Sequence, residues 1–215
     1  MSTAVQTAPP VVYPDSDGRP MADNTPQYEA IVMIQGGLDA LFRDRSDVFV
    51  AGNNLWYPVE GHPEIRIGPE VYVAFGRPKG HRGSYRQWEE GGIAPQVVFE
   101  VLSPGNRFGE MERKFRFYEQ YGLEEYYVYD PDNGELFGWL RDGAVLRPVA
   151  EMQRHVSPLL KVRFEMADGE LRLFGPDGRP FLTYLELAAQ RDEERRRAEK
   201  FAAKLRDLGV NPDQL

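Results

Sequence analysis

The sequence contains no cysteine and no long apolar run. Without cysteine it has neither disulfide bonds nor zinc sites with thiolate ligands, and we expect a reducing, cytoplasmic location. No apolar stretch approaches the roughly 18 residues that a membrane-spanning helix needs, so we expect no membrane partner. The N-terminus lacks the basic and apolar regions of a secretory signal. Its Pro, Ser and Asp residues predict a loosely ordered arm over residues 1–20.

Positive charge is in the minority. The chain has 26 Lys and Arg against 34 Asp and Glu, which gives a net charge of −8. Such a balance argues against a protein that coats nucleic acid over its whole surface. It leaves open an enzyme that contacts nucleic acid through one basic patch. The three histidines lie in loop segments without metal-ligand spacing, and we assign them no role.

Apolar periodicity predicts one α+β domain. Residues 26–44 show helical spacing, with Gly36 and Gly37 marking close packing against a neighbour. Strand-like runs follow, and a second helix ends at Gly122. Further strands are joined by the hairpin signals Asn133-Gly134 and Asp142-Gly143. This order predicts a mixed central sheet with helices packed on it.

The last helix is expected from about Phe181 to Leu208, before Gly209 and Pro212. Its middle, "RDEERRR", is almost wholly charged, and apolar residues lie at both ends. This pattern predicts a helical arm that projects from the domain as a helical hairpin or coiled coil.

One acidic residue interrupts the most strand-like stretch, "VVFEVLSP", residues 97–104. Both faces of this strand are apolar except at Glu100, so the strand is expected in the middle of the sheet. A buried, unpaired carboxylate costs several kcal/mol, and Glu100 therefore needs a cation or a proton. "PEVYVAF" repeats the arrangement, with Glu70 at the entry of a strand. Two such carboxylates at one end of a sheet would suit Mg²⁺ or Mn²⁺.

The helix after this strand adds a lysine. On a helical wheel, Lys114 falls in the centre of the apolar stripe, beside Glu110, so its amine is expected to point toward the sheet that carries Glu100. Simpler interpretations remain for each residue. Glu100 could pair with an arginine, Glu70 could be a surface residue, and Lys114 could extend past the Tyr118 ring or pair with Glu110.

Four longer blocks resemble the Uma-type endonucleases: "GPEVYVAFGRPKG", "SYRQWEEGGIAPQVVFEVLSPGN", "ERKFRFYEQYGLEEYYVYDP" and "AAKLRDLGVNPDQL". That family belongs to the PD-(D/E)XK superfamily. The resemblance implies a restriction-endonuclease-like fold, with a nuclease domain over residues 21–178 and a charged C-terminal helix over residues 179–215. It also implies metal-dependent hydrolysis of DNA and a homodimer.

In the site that the resemblance implies, Glu70 and Glu100 bind Mg²⁺ or Mn²⁺, and Lys114 stabilises charge on the phosphoryl group. The superfamily lysine is expected two residues after Glu100, where this chain has Leu102, so Lys114 is the match. Glu70 stands where aspartate is usual, and its extra methylene could shift the ion. Supporting residues would be Ser103, Glu110 and Tyr118.

A basic segment, "GRPKGHRGSYR", follows the Glu70 strand. We expect four of its side chains either to bind substrate phosphates or to form a solvated loop: Arg77, Lys79, Arg82 and Arg86. Two other functions compete with the enzyme. One is a catalytically silent nuclease fold that binds partners through the C-terminal helix, and the other is a helical-arm interaction protein with the body as scaffold.

Overall fold

The computed structural model describes residues 11–16, 18, 22, 24–105, 108–209 and 211. Most of the N-terminal arm predicted for residues 1–20 therefore lies outside the described residues, as does Pro212. The chain divides into two compact units, Met1–Phe181 and Leu182–Leu215.

The first unit contains two helices and ten strands in its described residues. The helices are α1 (Thr25–Leu41) and α2 (Phe108–Gln120). The strands of the main sheet are β1 (Val48–Gly52), β3 (Val71–Phe75), β5 (Val97–Val101), β6 (Glu125–Asp130), β7 (Glu135–Asp142) and β8 (Val145–Pro148). Two short sheets are made of β2 (Trp56–Tyr57) with β4 (Tyr85–Arg86), and of β9 (Arg163–Ala167) with β10 (Glu170–Phe174).

The main sheet has six strands in the order β1-β3-β5-β6-β7-β8. β5 and β6 are parallel, because α2 connects them as a crossover, and the other neighbouring pairs are antiparallel. The predicted α+β class with a mixed central sheet is therefore confirmed. β5 lies inside the sheet, and all five of its residues are buried.

The core forms on both faces of this sheet. On one face Val97, Phe99 and Val101 pack in a cluster with α1 residues. On the other face Val98 packs in a cluster with Tyr118 of α2. Since side chains alternate along a strand, Glu100 lies on the α2 face, as its spacing from Val98 predicts.

Helix α1 shows why a glycine sits in its interior. A Cβ atom built on Gly37 would overlap the ring of Phe181, whereas one built on Gly36 would meet nothing within 4 Å. The close packing predicted for this pair is confirmed at Gly37. The first unit therefore extends to Phe181, whose buried ring belongs to the core.

Two further segments refine the sequence prediction. The stretch 77–90, predicted as a polar loop or short helix, contains the two-residue strand β4, which pairs in parallel with β2. Residues 11–16 pack on the rest of the first unit: the Tyr13 ring meets the Tyr57 ring edge-on at 5.2 Å, and the Tyr57 hydroxyl donates to the Pro14 carbonyl at 2.7 Å.

The second unit consists mainly of helix α3 (Tyr184–Asp207). Thr183 caps its N-terminus in a capping box with Glu186, and Lys204 and Arg206 lie in its last turn, where the helix dipole favours cations. In the part of the chain that the structure describes, no helix is both long and apolar enough to cross a membrane.

Candidate nuclease site

The sheet register brings the two predicted carboxylates together. Val71 of β3 pairs with Phe99 of β5 in an antiparallel ladder. Glu70 lies in the bend immediately before β3 and Glu100 follows Phe99, so both acids lie at the same end of this ladder. The end of β3 is held on its other side, where the Asn53 amide donates to the Glu70 carbonyl at 3.2 Å. The negative charges of Glu100 and Glu70 both raise the pKa of Lys114, so the two carboxylates act on the same amine. Two segments distant in sequence thus present their acids at one end of the sheet.

Glu100 is the buried acid of the site, with 2% of its surface exposed. Its Oε2 accepts a hydrogen bond from Lys114 Nζ at 2.7 Å, and its Oε1 accepts one from the Tyr118 hydroxyl at 2.5 Å. These two donors explain how the strand tolerates a charge. The partners are therefore the lysine and a tyrosine of α2, and not the arginine that one interpretation of the sequence allowed.

Lys114 points from α2 toward the sheet, in the direction that the helical wheel predicts. Its side chain is 14% exposed, and Nζ also lies 3.5 Å from the Gly68 carbonyl. Burial disfavours the ammonium form, but the charge and hydrogen bond of Glu100 and the charges of Glu70 and Glu110 outweigh burial and raise the lysine pKa. Lys114 is therefore a cation at neutral pH, surrounded by three carboxylates.

Tyr118 is a neutral hydrogen-bond donor that orients the Glu100 carboxylate. Its ring is fully buried and stacks on Trp56 with the centroids 6.2 Å apart. Burial, followed by the negative charge of Glu100, raises the Tyr118 pKa well above its ordinary value. The phenol therefore keeps its proton, and its hydrogen bond to the carboxylate persists across the physiological pH range.

A cavity of about 1130 Å³ opens onto Lys114, whereas Glu100 and Tyr118 are buried and are not among its lining residues. Glu70, Ser103, Glu110 and Lys114 line it, so four predicted site residues share one space. Residues of the N-terminal segment, Pro14 among them, form part of the wall. Catalytic and supporting roles for these residues stay predictions, but the structure supplies the shared location that those roles require.

The four basic residues predicted to bind phosphates lie elsewhere. Arg77 and Arg82 both bond to the carboxylate of Glu90, at 3.0 and 2.5 Å, and Arg82 stacks 3.9 Å above the Phe49 ring. Lys79 donates to the Phe42 carbonyl at 2.7 Å, and Arg86 pairs with Glu89 at 3.2 Å. In the described structure none of the four lines the cavity. Their binding to phosphate stays a prediction.

The cavity residues that were not identified from the sequence include Gln27, Arg66 and Arg113. Gln27 is buried on α1 and donates from Nε2 to the carbonyl of Val101 at 2.9 Å. The sequence pattern could have indicated that Gln27 is buried, because Gln27 is a polar residue on the same apolar helical face as Ile31. Nothing in the sequence marked the two arginines, since only the fold brings the segment before β3 next to α2.

The donor chemistry of the site fits a hard divalent ion. Mg²⁺ takes oxygen ligands, is often held by one or two carboxylates and keeps several waters. Each ionised carboxylate has about four lone-pair positions, so Glu100 can accept a further partner beside Lys114 and Tyr118. The described residues contain no group of three or more His, Cys, Asp or Glu that could hold a metal. The two acids therefore suit an ion that keeps most of its water ligands.

Comparison with known proteins decides the family. The model of the Uma2 family, described as "Putative restriction endonuclease", matches residues 25–167. The chain belongs to the Uma2 family. The matched range includes β3, β5 and α2, and therefore Glu70, Glu100, Lys114 and Tyr118. Membership of the Uma2 family supports a nuclease function in general terms.

Among solved structures, the chain is similar to a protein from Anabaena variabilis described as a "putative nuclease belonging to DUF820". The two are 12% identical, the match covers 63% of this chain and 73% of the other, and the TM-score is 0.47. No curated protein matches the chain.

Proposed function

We propose that this protein is a divalent-metal-dependent endonuclease that hydrolyses phosphodiester bonds in DNA. The observation that carries the proposal is the contact between Lys114, which lines an open cavity, and the buried Glu100, at the same end of the sheet as the cavity residue Glu70. A cation held among carboxylates is an arrangement suited to phosphoryl chemistry, because it places positive charge where an anionic group must be stabilised.

Each side chain has a defined task in this proposal. Glu70 and Glu100 would hold a Mg²⁺ or Mn²⁺ ion, which supplies an activated water and neutralises phosphate charge when bound. Lys114 stays protonated because of the carboxylates around it, and its ammonium can donate to a phosphoryl oxygen. Tyr118 fixes the rotamer of Glu100 by donating to Oε1. Ser103, buried at the cavity wall, adds a hydroxyl to the same space.

The test uses closed circular substrates, which only an endonuclease can open. Supercoiled plasmid DNA, circular single-stranded DNA and a structured RNA are incubated with the purified full-length chain in Mg²⁺, Mn²⁺ or EDTA. We expect divalent-dependent opening of the DNA circles. Glu70→Gln and Glu100→Gln should lower the rate roughly 10²- to 10³-fold, the usual loss when one charge-stabilising group is removed from an active site.

Glu64→Gln is the matched control. Glu64 also lines the cavity, but its exposed carboxylate bonds to His62 at 2.9 Å and lies outside the strands that carry the site. This variant should cut like wild type. Equal cutting by all variants would point to a contaminating nuclease, and cleavage of RNA alone would replace DNA as the substrate.

A second candidate function is a silent nuclease fold that binds partners through α3. This helix has no buried side chain in the part of the chain that the structure describes, and it exposes large apolar residues: Tyr184, Leu185, Leu187 and Phe201. If the folded protein cuts no circle and binds neither Mg²⁺ nor Mn²⁺ in calorimetry, this second function replaces the first.

A further inference from the structure

Two arginines on the cavity wall have no role in the site described so far. Arg66 lies four residues before Glu70, in the segment between β2 and β3, and Arg113 immediately precedes Lys114 on α2. Both are exposed, and both line the cavity with Glu70 and Lys114. The two arginines therefore come from the same two elements that supply the acid and the lysine of the site.

Arg66 and Arg113 differ from the other arginines of the first unit. Among its described residues, every other arginine forms an ion pair with a carboxylate: Arg43, Arg45, Arg77, Arg82, Arg86, Arg116, Arg141, Arg147, Arg154, Arg163, Arg172 and Arg179. Arg66 donates to the Pro63 carbonyl at 3.0 Å but has no carboxylate partner among the described residues, and neither has Arg113. A guanidinium carries five N–H donors, so most of their donor capacity is available to a ligand.

The charges around the cavity indicate what that ligand is. Glu70 and Glu110 also line it, and their negative charges oppose an approaching anion. Lys114 donates a hydrogen bond to Glu100, so its positive charge is partly neutralised before a ligand binds. A phosphate at this site therefore needs further cations, and exposed guanidinium groups bind phosphate oxygens in pairs of hydrogen bonds.

We propose that Arg66 and Arg113 bind backbone phosphates of the nucleic-acid substrate next to the bond that is cut. This inference rests on the proposed nuclease function and names the residues that hold its substrate. It also separates these arginines from Arg77 and Arg82, whose guanidinium groups are bonded to Glu90 away from the cavity.

The test measures binding apart from cleavage. Fluorescence anisotropy of a labelled 20-nucleotide single strand and a 20-base-pair duplex gives Kd for the full chain, with Ca²⁺ replacing Mg²⁺ and over a series of salt concentrations. Arg66→Ala and Arg113→Ala should each lower the salt slope by about 0.7 on the single strand or 0.9 on the duplex. These changes in slope correspond to about five- to eightfold weaker binding at 0.1 M salt, and the affinity of the double variant should fall about 25- to 60-fold.

The matched control is Arg116→Ala. Arg116 lies on the same helix, is exposed and pairs with Glu112 at 2.7 Å, outside the cavity lining. Its removal should change neither Kd nor the salt slope. Because phosphates carry no sequence information, the losses at Arg66 and Arg113 should be the same for DNA of unrelated sequences.

The outcomes separate this inference from the function on which it rests. Unchanged Kd and salt slope in both arginine variants, with wild-type protein still binding and cutting DNA, overturn the inference alone. A wild-type chain that neither binds nor cuts nucleic acid overturns both. Losses of equal size in Arg116→Ala would show that net charge, and not position, determines binding, and would also overturn the inference.

Discussion

Replacing Lys114 with methionine should destabilise the first unit at neutral pH. The substitution keeps an unbranched apolar side chain, one heavy atom shorter, but removes the cation that neutralises Glu100. Removing one partner of a buried ion pair costs about 3–5 kcal/mol, because the remaining charge stays desolvated. Glu100 keeps its hydrogen bond from Tyr118, so we expect a loss near the lower end, about 3 kcal/mol.

The structure supports a cost of this size. The side chains of Glu100 and Lys114 are only 3% and 14% exposed, so little water would reach the carboxylate after the amine is removed. Adding Glu100→Gln to the methionine variant removes the buried charge, while the amide oxygen still accepts from Tyr118. The double variant should therefore recover about 2 kcal/mol relative to the single variant.

Urea unfolding followed by tryptophan fluorescence measures these free energies. The three tryptophans, at positions 56, 88 and 139, all lie in the first unit, so the signal reports on the unit that contains the pair. A methionine variant that loses less than about 1 kcal/mol, or a double variant no more stable than the single one, would refute the reasoning.

The same pair predicts how stability depends on alkaline pH. Burial by itself lowers the pKa of Lys114. The charge and the hydrogen bond of Glu100, with smaller effects of Glu70 and Glu110, outweigh burial and raise this pKa above the ordinary lysine value of 10.5. When folding raises the pKa of a lysine, the folded state is fully stabilised at pH values below the pKa of that lysine in the unfolded chain. This stabilisation is lost as the pH rises through the pKa of the lysine in the folded state. The difference in unfolding free energy between wild type and Lys114→Met should be flat from pH 7 to about 9 and fall above about 10.5. If this free-energy difference already declined between pH 7 and 9, the conclusion that Lys114 is protonated in that range would be wrong.

Two further predictions concern residues outside the site. Gly37→Ala should lower the unfolding free energy by about 1–3 kcal/mol, because the new methyl overlaps the Phe181 ring. Its neighbour Gly36 faces open space, so Gly36→Ala should raise the unfolding free energy by up to about 1 kcal/mol. Equal changes of the two variants in urea unfolding would contradict the close packing of Gly37 against Phe181. Arg82→Ala should cost about 2–3 kcal/mol by weakening the bonds to Glu90 and the stacking on a phenylalanine ring. DNA affinity should be unchanged in that variant, and a loss of DNA affinity without a loss of stability would instead favour the phosphate-binding role.

Local patterns were sufficient for the elements of the fold and for part of the site. Alternation along "VVFEVLSP" assigned Glu100 to one face of a buried strand, and helical spacing aimed Lys114 at that face. Both assignments match the structure, because each depends only on the period of one strand or helix. Burial of a carboxylate also required a partner, which the structure supplies as Lys114 and Tyr118.

Other features depended on which elements become neighbours. That Glu70 and Glu100 lie at the same end of the sheet follows from the pairing of β3 with β5, a register that no single segment encodes. The sequence made the 77–86 loop the prominent basic patch, yet tertiary packing pairs Arg82 with Glu90 and leaves Arg66 at the cavity. An arginine looks the same in sequence whether or not a distant carboxylate will neutralise it.

The sequence by itself determined the α+β class, the buried acid and the lysine that faces it, because apolar periodicity and the cost of burying charge act locally. Only the tertiary structure shows that Glu70 lies at the same end of the sheet, that the Tyr118 hydroxyl donates to Glu100, and that Arg66 and Arg113 line the cavity without a carboxylate partner among the described residues. Those features depend on strand register and on contacts between segments far apart in the chain, which form only when the sheet assembles.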